Sequence, residues 1–364
     1  MSIEKFRLEK DAIMTKEEII RIMKKANDFW IDSHKNPGWA FWDEAVYFTG
    51  NMEAYYTTQD EAYRDYSIKW AQANQWMGAK NSDKETWRYS YGETDEFVLF
   101  GDWEVSFQTY IDLYNLEEKP KDPKKLARVL EVMDYQINTK NNDYLWWIDG
   151  LYMVMPVLTK MYKVTGEQRY LDKLYVYYKY AKDRFFDEET GFWYRDIKYI
   201  FPKHKSLNGK KEFWSRGSGW VFAALVKVLK DLEDDNPHKA EFIEVLKTMA
   251  NSLIKTQDPQ GYWTRSILDS NQGPGPETSG TALFTYGLAW GINNGILEKK
   301  IYLGTLLRAW NYLANTALQP DGKVGYVQPI GENPSPNIVV DASSTSNFGV
   351  GVFLLACSEM SKLR

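Results

Sequence analysis

A recurrence constrains this chain more than any other feature. Roughly every sixty residues an aromatic-rich loop runs into a helical segment whose first turn carries a conspicuous polar residue. The clearest copies are Phe100-Gly101-Asp102-Trp103, Trp146-Trp147-Ile148-Asp149-Gly150, Phe213-Trp214-Ser215-Arg216-Gly217-Ser218-Gly219-Trp220 and Pro276-Glu277-Thr278-Ser279-Gly280. The helical segments are of two alternating kinds. Those near 16–33, 59–79, 121–139, 167–185, 238–256 and 298–317 are amphipathic and rich in charge, as in Lys124-Lys125-Leu126-Ala127-Arg128-Val129-Leu130. Those near 43–57, 102–115, 149–164, 217–233, 279–293 and 342–361 are apolar on most sides, as in Gly150-Leu151-Tyr152-Met153-Val154-Met155-Pro156-Val157-Leu158. A helix that is hydrophobic all round must be surrounded by protein. Enclosed helices alternating with half-exposed ones predict an inner ring within an outer ring, an all-α (α/α)6 barrel.

Three of the outer segments end in a similar turn: Asp187-Glu188-Glu189-Thr190-Gly191, Asp258-Pro259-Gln260-Gly261 and Pro320-Asp321-Gly322. Asp or Pro followed by Gly suits a tight turn with positive φ, and the residues beyond it can form short β-hairpins. The loops 81–100, 192–213, 263–277 and 322–341 are long enough to be functional. All four precede inner helices, so they should crowd one face, which becomes the active-site face. With 364 residues the chain exceeds the size of one simple core, and repetition accounts for that length. The expected organisation is an N-terminal tail over 1–15 and one barrel domain over 16–364.

The 15 Trp, 25 Tyr and 17 Phe raise the prospect of a carbohydrate ligand, because aromatic rings stack on the apolar faces of sugars; large helical cores also use them. A net charge of −5 gives no global basic field for nucleic acid or an acidic membrane. The single cysteine, Cys357, sits in an apolar run and reads as buried and inert. The first residues carry no signal-peptide pattern and no segment is long enough to span a bilayer, so a cytoplasmic location is expected. His34, His204 and His238 are scattered without metal-ligand spacing, and no phosphate-binding loop, dinucleotide fingerprint or Gly-x-Ser-x-Gly elbow occurs. Neither a metal nor a cofactor is expected.

Asp149 follows Trp146 and Trp147 and precedes Gly150. Asp at a helix start is often only an N-cap. Indole walls, however, exclude water and raise a carboxyl pKa, which suits a general acid near neutral pH. Asp102 begins the preceding inner helix and is therefore its neighbour in a ring. Two adjacent carboxyls drive their pKa values apart, so that one keeps a proton while the other ionises. Arg216, between Trp214 and Trp220, reads either as a structural Arg on indole or as a clamp for a carboxylate. Thr278 and Ser279 form a cap that can also touch sugar. Trp39, Trp42, Trp147, Trp193 and Trp263 are candidate platforms or walls, and Trp220 and Arg195 join the substrate-binding candidates.

Trp147-Ile148-Asp149-Gly150-Leu151-Tyr152-Met153 together with Trp214-Ser215-Arg216-Gly217-Ser218-Gly219-Trp220 resembles the signature pair of the unsaturated rhamnogalacturonyl hydrolases, glycoside hydrolase family 105. Asp102 with Gln108-Thr109-Tyr110 is similar to that family's earlier aspartate segment, and Glu277-Thr278-Ser279-Gly280-Thr281-Ala282 to its late Ser/Thr segment. The resemblance implies an (α/α)6 barrel, Asp149 as general acid/base, Asp102 as its support, and substrate contacts from Trp214 and Arg216. It implies hydration of the C4=C5 double bond in a terminal unsaturated uronic acid, with an oligosaccharide made by a polysaccharide lyase as substrate. Relatives carry histidines where this chain has Trp193-Tyr194-Arg195-Asp196 and Asn141-Asn142-Asp143-Tyr144, which bears on the sugar more than on the chemistry. Alternatives on the same scaffold are an unsaturated glucuronyl hydrolase, an ordinary exo-glycosidase or a sugar epimerase. A non-catalytic sugar-binding helical-repeat protein ranks below these.

Overall fold

The computed structural model describes residues 13–363. The expected tail over 1–15 falls mostly on residues 1–12, outside the described residues. The first helix, α1 (Lys16–Ser33), is started by a capping box: Thr15 Oγ accepts from Glu18 N, and the Glu18 carboxylate accepts from Thr15 N at 2.7 Å. There follow α2 (Trp42–Thr58), α3 (Glu61–Ala73), α4 (Gly101–Glu104 and Ser106–Asn115, interrupted at Val105) and α5 (Lys124–Asn138). Next come α6 (Asp149–Thr165), α7 (Arg169–Phe185), α8 (Ser215–Asp231) and α9 (Lys239–Thr256). The last are α10 (Thr278–Asn293), α11 (Lys299–Tyr312) and α12 (Asn347–Met360).

The even-numbered helices touch in order around a ring, and α12 returns to α2, so the barrel is closed. The odd-numbered helices lie outside, each on its partner. The apolar segments pay their way in burial: every residue from Thr278 to Ile292 in α10, and from Phe348 to Met360 in α12, is shielded from solvent. The α2–α12 seam is tight. A Cβ on Gly50 would lie 2.1 Å from the Gly351 carbonyl oxygen, so a methyl group there would force the ring open.

The three expected turns are present and equivalent. Gly191, Gly261 and Gly322 all have positive φ. The first turn closes a two-stranded hairpin, β1 (Phe186–Asp187) with β2 (Phe192–Trp193), in the antiparallel register Phe186–Trp193. Three α-helices are shorter than expected, one of them α11, which ends at Tyr312 because the segment continues as a π-helix over Leu313–Ala317. The segment assigned to 59–79 ends at Ala73, because Gln75 and Trp76 both take left-handed backbone. The last inner helix starts at Asn347 rather than near 342, so the loop before it runs longer. Cys357 is fully buried, as its apolar context implies. His238, just before α9, is half-buried and stacks on Tyr175 at 3.4 Å.

One polar contact sets the inner helices that matter most for chemistry in register. Pro156 lies inside α6 and has no N–H to give the Tyr152 carbonyl one turn earlier. Gln108 of α4 donates to that oxygen at 2.7 Å. The pair ties α4 to α6 below the residues that begin them. Gln108→Leu is expected to destabilise the protein by about 1–3 kcal/mol, since it strands a buried carbonyl; a thermal melt checks this.

Candidate active site

A cavity of about 610 Å³ opens where the N-termini of α2, α4 and α6 meet. Asp43 comes from α2, Asp102 from α4 and Asp149 from α6, with Trp39, Trp42, Trp146 and Trp147 among the walls. Neither catalytic candidate is a helix N-cap; those positions are Phe100 and Ile148. The capping explanation for these two aspartates therefore fails, and their carboxyls face the cavity.

Both are nearly enclosed, at 7% and 9% exposure. Burial pushes both pKa values up. Asp102 is raised well above the ordinary value, by burial first and then by the facing Asp149. Asp149 is raised less, because Arg195 and Arg216 favour its ionised form. The two titrate as a coupled pair that burial biases toward protonation, and one cation favours the ionised form of both.

That cation is Arg195. The β1–β2 hairpin delivers it: Ile148 N donates to the Arg195 carbonyl at 2.9 Å, and Trp147 bridges Asp196 in antiparallel fashion. Asp196, itself held by Lys198 N, accepts from the Arg195 guanidinium at 2.6 Å. Arg195 Nε stands 3.7 Å from Asp149 Oδ1, and both atoms are buried without a hydrogen-bond partner. An unsatisfied donor and acceptor facing each other across that gap are poised for a bound group. Arg195→Gln removes a charge that favours the ionised Asp149. Its pKa should rise, so the high-pH limb of the kcat profile should move to higher pH while KM for an anionic substrate increases; a pH–rate series checks both.

Of the remaining candidates, Trp42 and Trp147 line the cavity. Trp147 packs on Phe100 at 4.9 Å and on Trp146 at 4.4 Å. Trp193, Trp220 and Trp263 are buried away from it and serve as core, which corrects the platform reading for Trp193 and Trp263 and the substrate-contact reading for Trp220. Thr278 is spent on the Gly325 carbonyl and the Tyr312 hydroxyl. Ser279 donates to Glu277, which is the true cap of α10 through the N–H groups of Ser279 and Gly280. Neither hydroxyl residue lines the cavity, contrary to expectation.

Arg216 is fully buried and stands behind the wall. Its guanidinium lies between the rings of Trp214 and Phe348, 4.6 and 4.7 Å from their centroids. It donates to the carbonyls of Gln328 at 2.6 Å and Pro329 at 2.7 Å. Trp214 Nε1 donates to the Gln328 side chain at 2.8 Å. Burial lowers the Arg216 pKa to about 10. These two residues hold the loop that brings Ile330, Gly331 and Glu332 to the cavity, and they do not themselves line it.

Glu332 was not anticipated. Its carboxylate accepts from Lys198 Nζ and the Tyr199 hydroxyl, both at 2.8 Å, and more weakly from Arg195 at 3.4 Å. Tyr91, Glu93, Asp43 and Lys198 were likewise missed, although the loops 81–100, 192–213 and 322–341 that carry four of these five had been marked. The loop 263–277 contributes nothing to the lining.

The comparisons agree with this architecture. A family model described as Glycosyl Hydrolase Family 88 matches residues 14–364. An "Unsaturated 3S-rhamnoglycuronyl hydrolase" of Formosa agariphila is 33% identical over 334 residues, covering 88% of this chain and 84% of that protein. A solved structure described as a glycosyl hydrolase family 88 protein from Bacteroides vulgatus is 53% identical, with a TM-score of 0.93 over 96% of this chain and 99% of that one. Another, described as a polysaccharide lyase, is 56% identical, with a TM-score of 0.92 over 95% and 97%. A family 105 glycoside hydrolase of C. acetobutylicum, at 23% identity and a TM-score of 0.75 over 94% and 99%, shares the fold. With the closed helical ring and its paired aspartates, the match along nearly the whole chain makes this protein an enzyme: it belongs to glycosyl hydrolase family 88.

Proposed function

We propose that the protein removes the terminal 4,5-unsaturated uronic acid from oligosaccharides left by a polysaccharide lyase, with rhamnose as the first-choice leaving sugar. The observation that carries this reading is the buried pair Asp102–Asp149 beside a cation with an unpaired donor, at the mouth of the ring. The name of the Formosa agariphila relative supports both the unsaturated uronyl group and the rhamnose.

The C4=C5 bond of such a sugar is an enol ether to the ring oxygen. Asp149 gives a proton to C4, and positive charge develops at C5 and O5. Water adds at C5 as its proton returns to the carboxylate pair. The hemiketal then opens by breaking C5–O5, leaving a ketone at C5 and a hemiacetal at C1 that releases the neighbouring sugar. No glycosyl-enzyme forms, so the carboxylate spacing of ordinary glycosidases does not govern the site. Arg195 and Lys198 are the cations on the cavity wall, and the substrate carboxylate is placed on them. Charge neutralisation at Arg195 removes what favours ionised Asp149, so Asp149 holds its proton for delivery to C4.

A second reading follows from the relative described as a polysaccharide lyase. A lyase would withdraw the proton at C5 and create the double bond. The two run in opposite directions on one chromophore. Purified protein mixed with unsaturated disaccharides should lower their ultraviolet absorbance as sugar is released. A rise in absorbance with intact polysaccharide, and none of that loss with disaccharides, would establish the lyase instead.

A further inference from the structure

Beside the catalytic cavity runs a second hollow of about 580 Å³, walled by Trp87, Arg88, Tyr89, Ser90, Tyr91, Asp143 and Trp146. Tyr91 and Trp146 line both, so the two are continuous. Each aromatic polar atom in this strip is already bound within the protein. Trp87 Nε1 donates to the Asn81 carbonyl at 3.0 Å, and the Tyr89 hydroxyl to Asp143 at 3.1 Å. The Tyr91 hydroxyl donates to Glu93 at 2.6 Å, and Trp146 Nε1 to the Tyr89 carbonyl at 3.1 Å. What these rings offer a ligand is carbon surface rather than hydrogen-bonding edge, and Trp87, covered by Tyr135 and Arg128, offers little of it.

The strip is also fixed in place. Arg88 N donates to the Glu96 carbonyl and its own carbonyl accepts from Leu99 N, at 2.9 and 3.0 Å, which pins the loop to itself. Trp146 stacks nearly parallel to Phe100, at 12°. Tyr91 nevertheless remains 60% exposed. A rigid, wet, aromatic surface loses little freedom on binding, and its ring faces suit the apolar faces of pyranose rings. Arg88 adds an exposed cation for a uronate or sulfate group, while the Asp143 carboxylate on the same wall is engaged by the Tyr89 hydroxyl.

Resting on the hydrolase reading above, we infer that this groove binds the sugar units beyond the leaving sugar, so that the enzyme prefers anionic oligosaccharides longer than a disaccharide. The test compares an unsaturated disaccharide with a tetrasaccharide of the same terminal linkage. Wild-type protein should show kcat/KM at least about tenfold higher on the tetrasaccharide, equivalent to about 1.4 kcal/mol. Arg88→Ala removes the cation, and Ser90→Trp fills the groove; both positions are exposed and outside the catalytic cavity. Each should bring the ratio down toward one while leaving disaccharide turnover within about twofold of wild type. Disaccharide turnover with a wild-type ratio near one, or a ratio untouched by both variants, would overturn the groove alone. Absence of turnover on either substrate would overturn the hydrolase reading and the groove with it.

Discussion

Asp149→Asn is expected to lower kcat/KM by between about 100- and 10,000-fold, the usual worth of a positioned general acid, while leaving the thermal melt close to wild type. Asparagine has nearly the same shape, but it cannot give a proton to carbon or accept one from water. Asp149 shares the cavity with Trp147 and Phe100 and caps no helix, so little of its role is structural. Asp102→Asn should cost less. Burial and the facing Asp149 push the Asp102 pKa well above the ordinary value, and an amide imitates the protonated acid in shape and neutrality. A variant pair with the opposite ranking would move the acid to Asp102.

Arg216→Lys should be the other severe change. The guanidinium reaches two backbone carbonyls at once while sandwiched between Trp214 and Phe348, a geometry that an ammonium cannot reproduce. Leaving the Gln328 and Pro329 carbonyls unsatisfied is expected to destabilise the protein by about 2–4 kcal/mol. The loop carrying Glu332 should become a site of early proteolytic cleavage, and KM should rise. A clamp on substrate carboxylate would behave differently: KM would rise with the melting temperature and the cleavage pattern unchanged.

Glu332 explains why both cations of the cavity can wait without substrate. Its carboxylate rests on Lys198 and Tyr199, with Arg195 nearby, and those contacts hold its pKa below the ordinary carboxylate range. It arrives on a loop fastened from behind by three buried groups. Arg216 holds its start, Glu277 accepts from Gln328 N at 3.1 Å, and Arg265 donates to the Ser335 carbonyl at 2.6 Å. The positive charge of the α8 N-terminal segment is thus used to build the wall rather than to meet the ligand.

What was legible in the chain follows from periodicity. Alternating apolar and amphipathic helices sufficed for the double ring, and position in that ring brought Asp102 and Asp149 together. The glycines of the repeated turns were readable because only positive φ closes them. Direction was harder. A Trp-x-Arg-Gly segment places Arg216 at a helix start, but sequence spacing does not say whether the guanidinium points into the cavity or behind it. Two carbonyls on a loop more than a hundred residues away decide that. Glu332 and Tyr91 were invisible for a related reason: they stand on irregular backbone, where no period assigns a face. The cation beside the carboxyl pair was hard to place because Arg195 reaches Asp149 through a hairpin register, not through the helix repeat.

The most direct test follows the proton itself. With an unsaturated disaccharide in D2O, product trapped within the first turnovers by borohydride reduction should carry one deuterium at C4, and the double bond should disappear in step with release of the second sugar. Asp149→Asn should abolish both together. Release of the second sugar with the C4=C5 bond intact and no deuterium at C4 would contradict protonation by Asp149 as the step that starts cleavage.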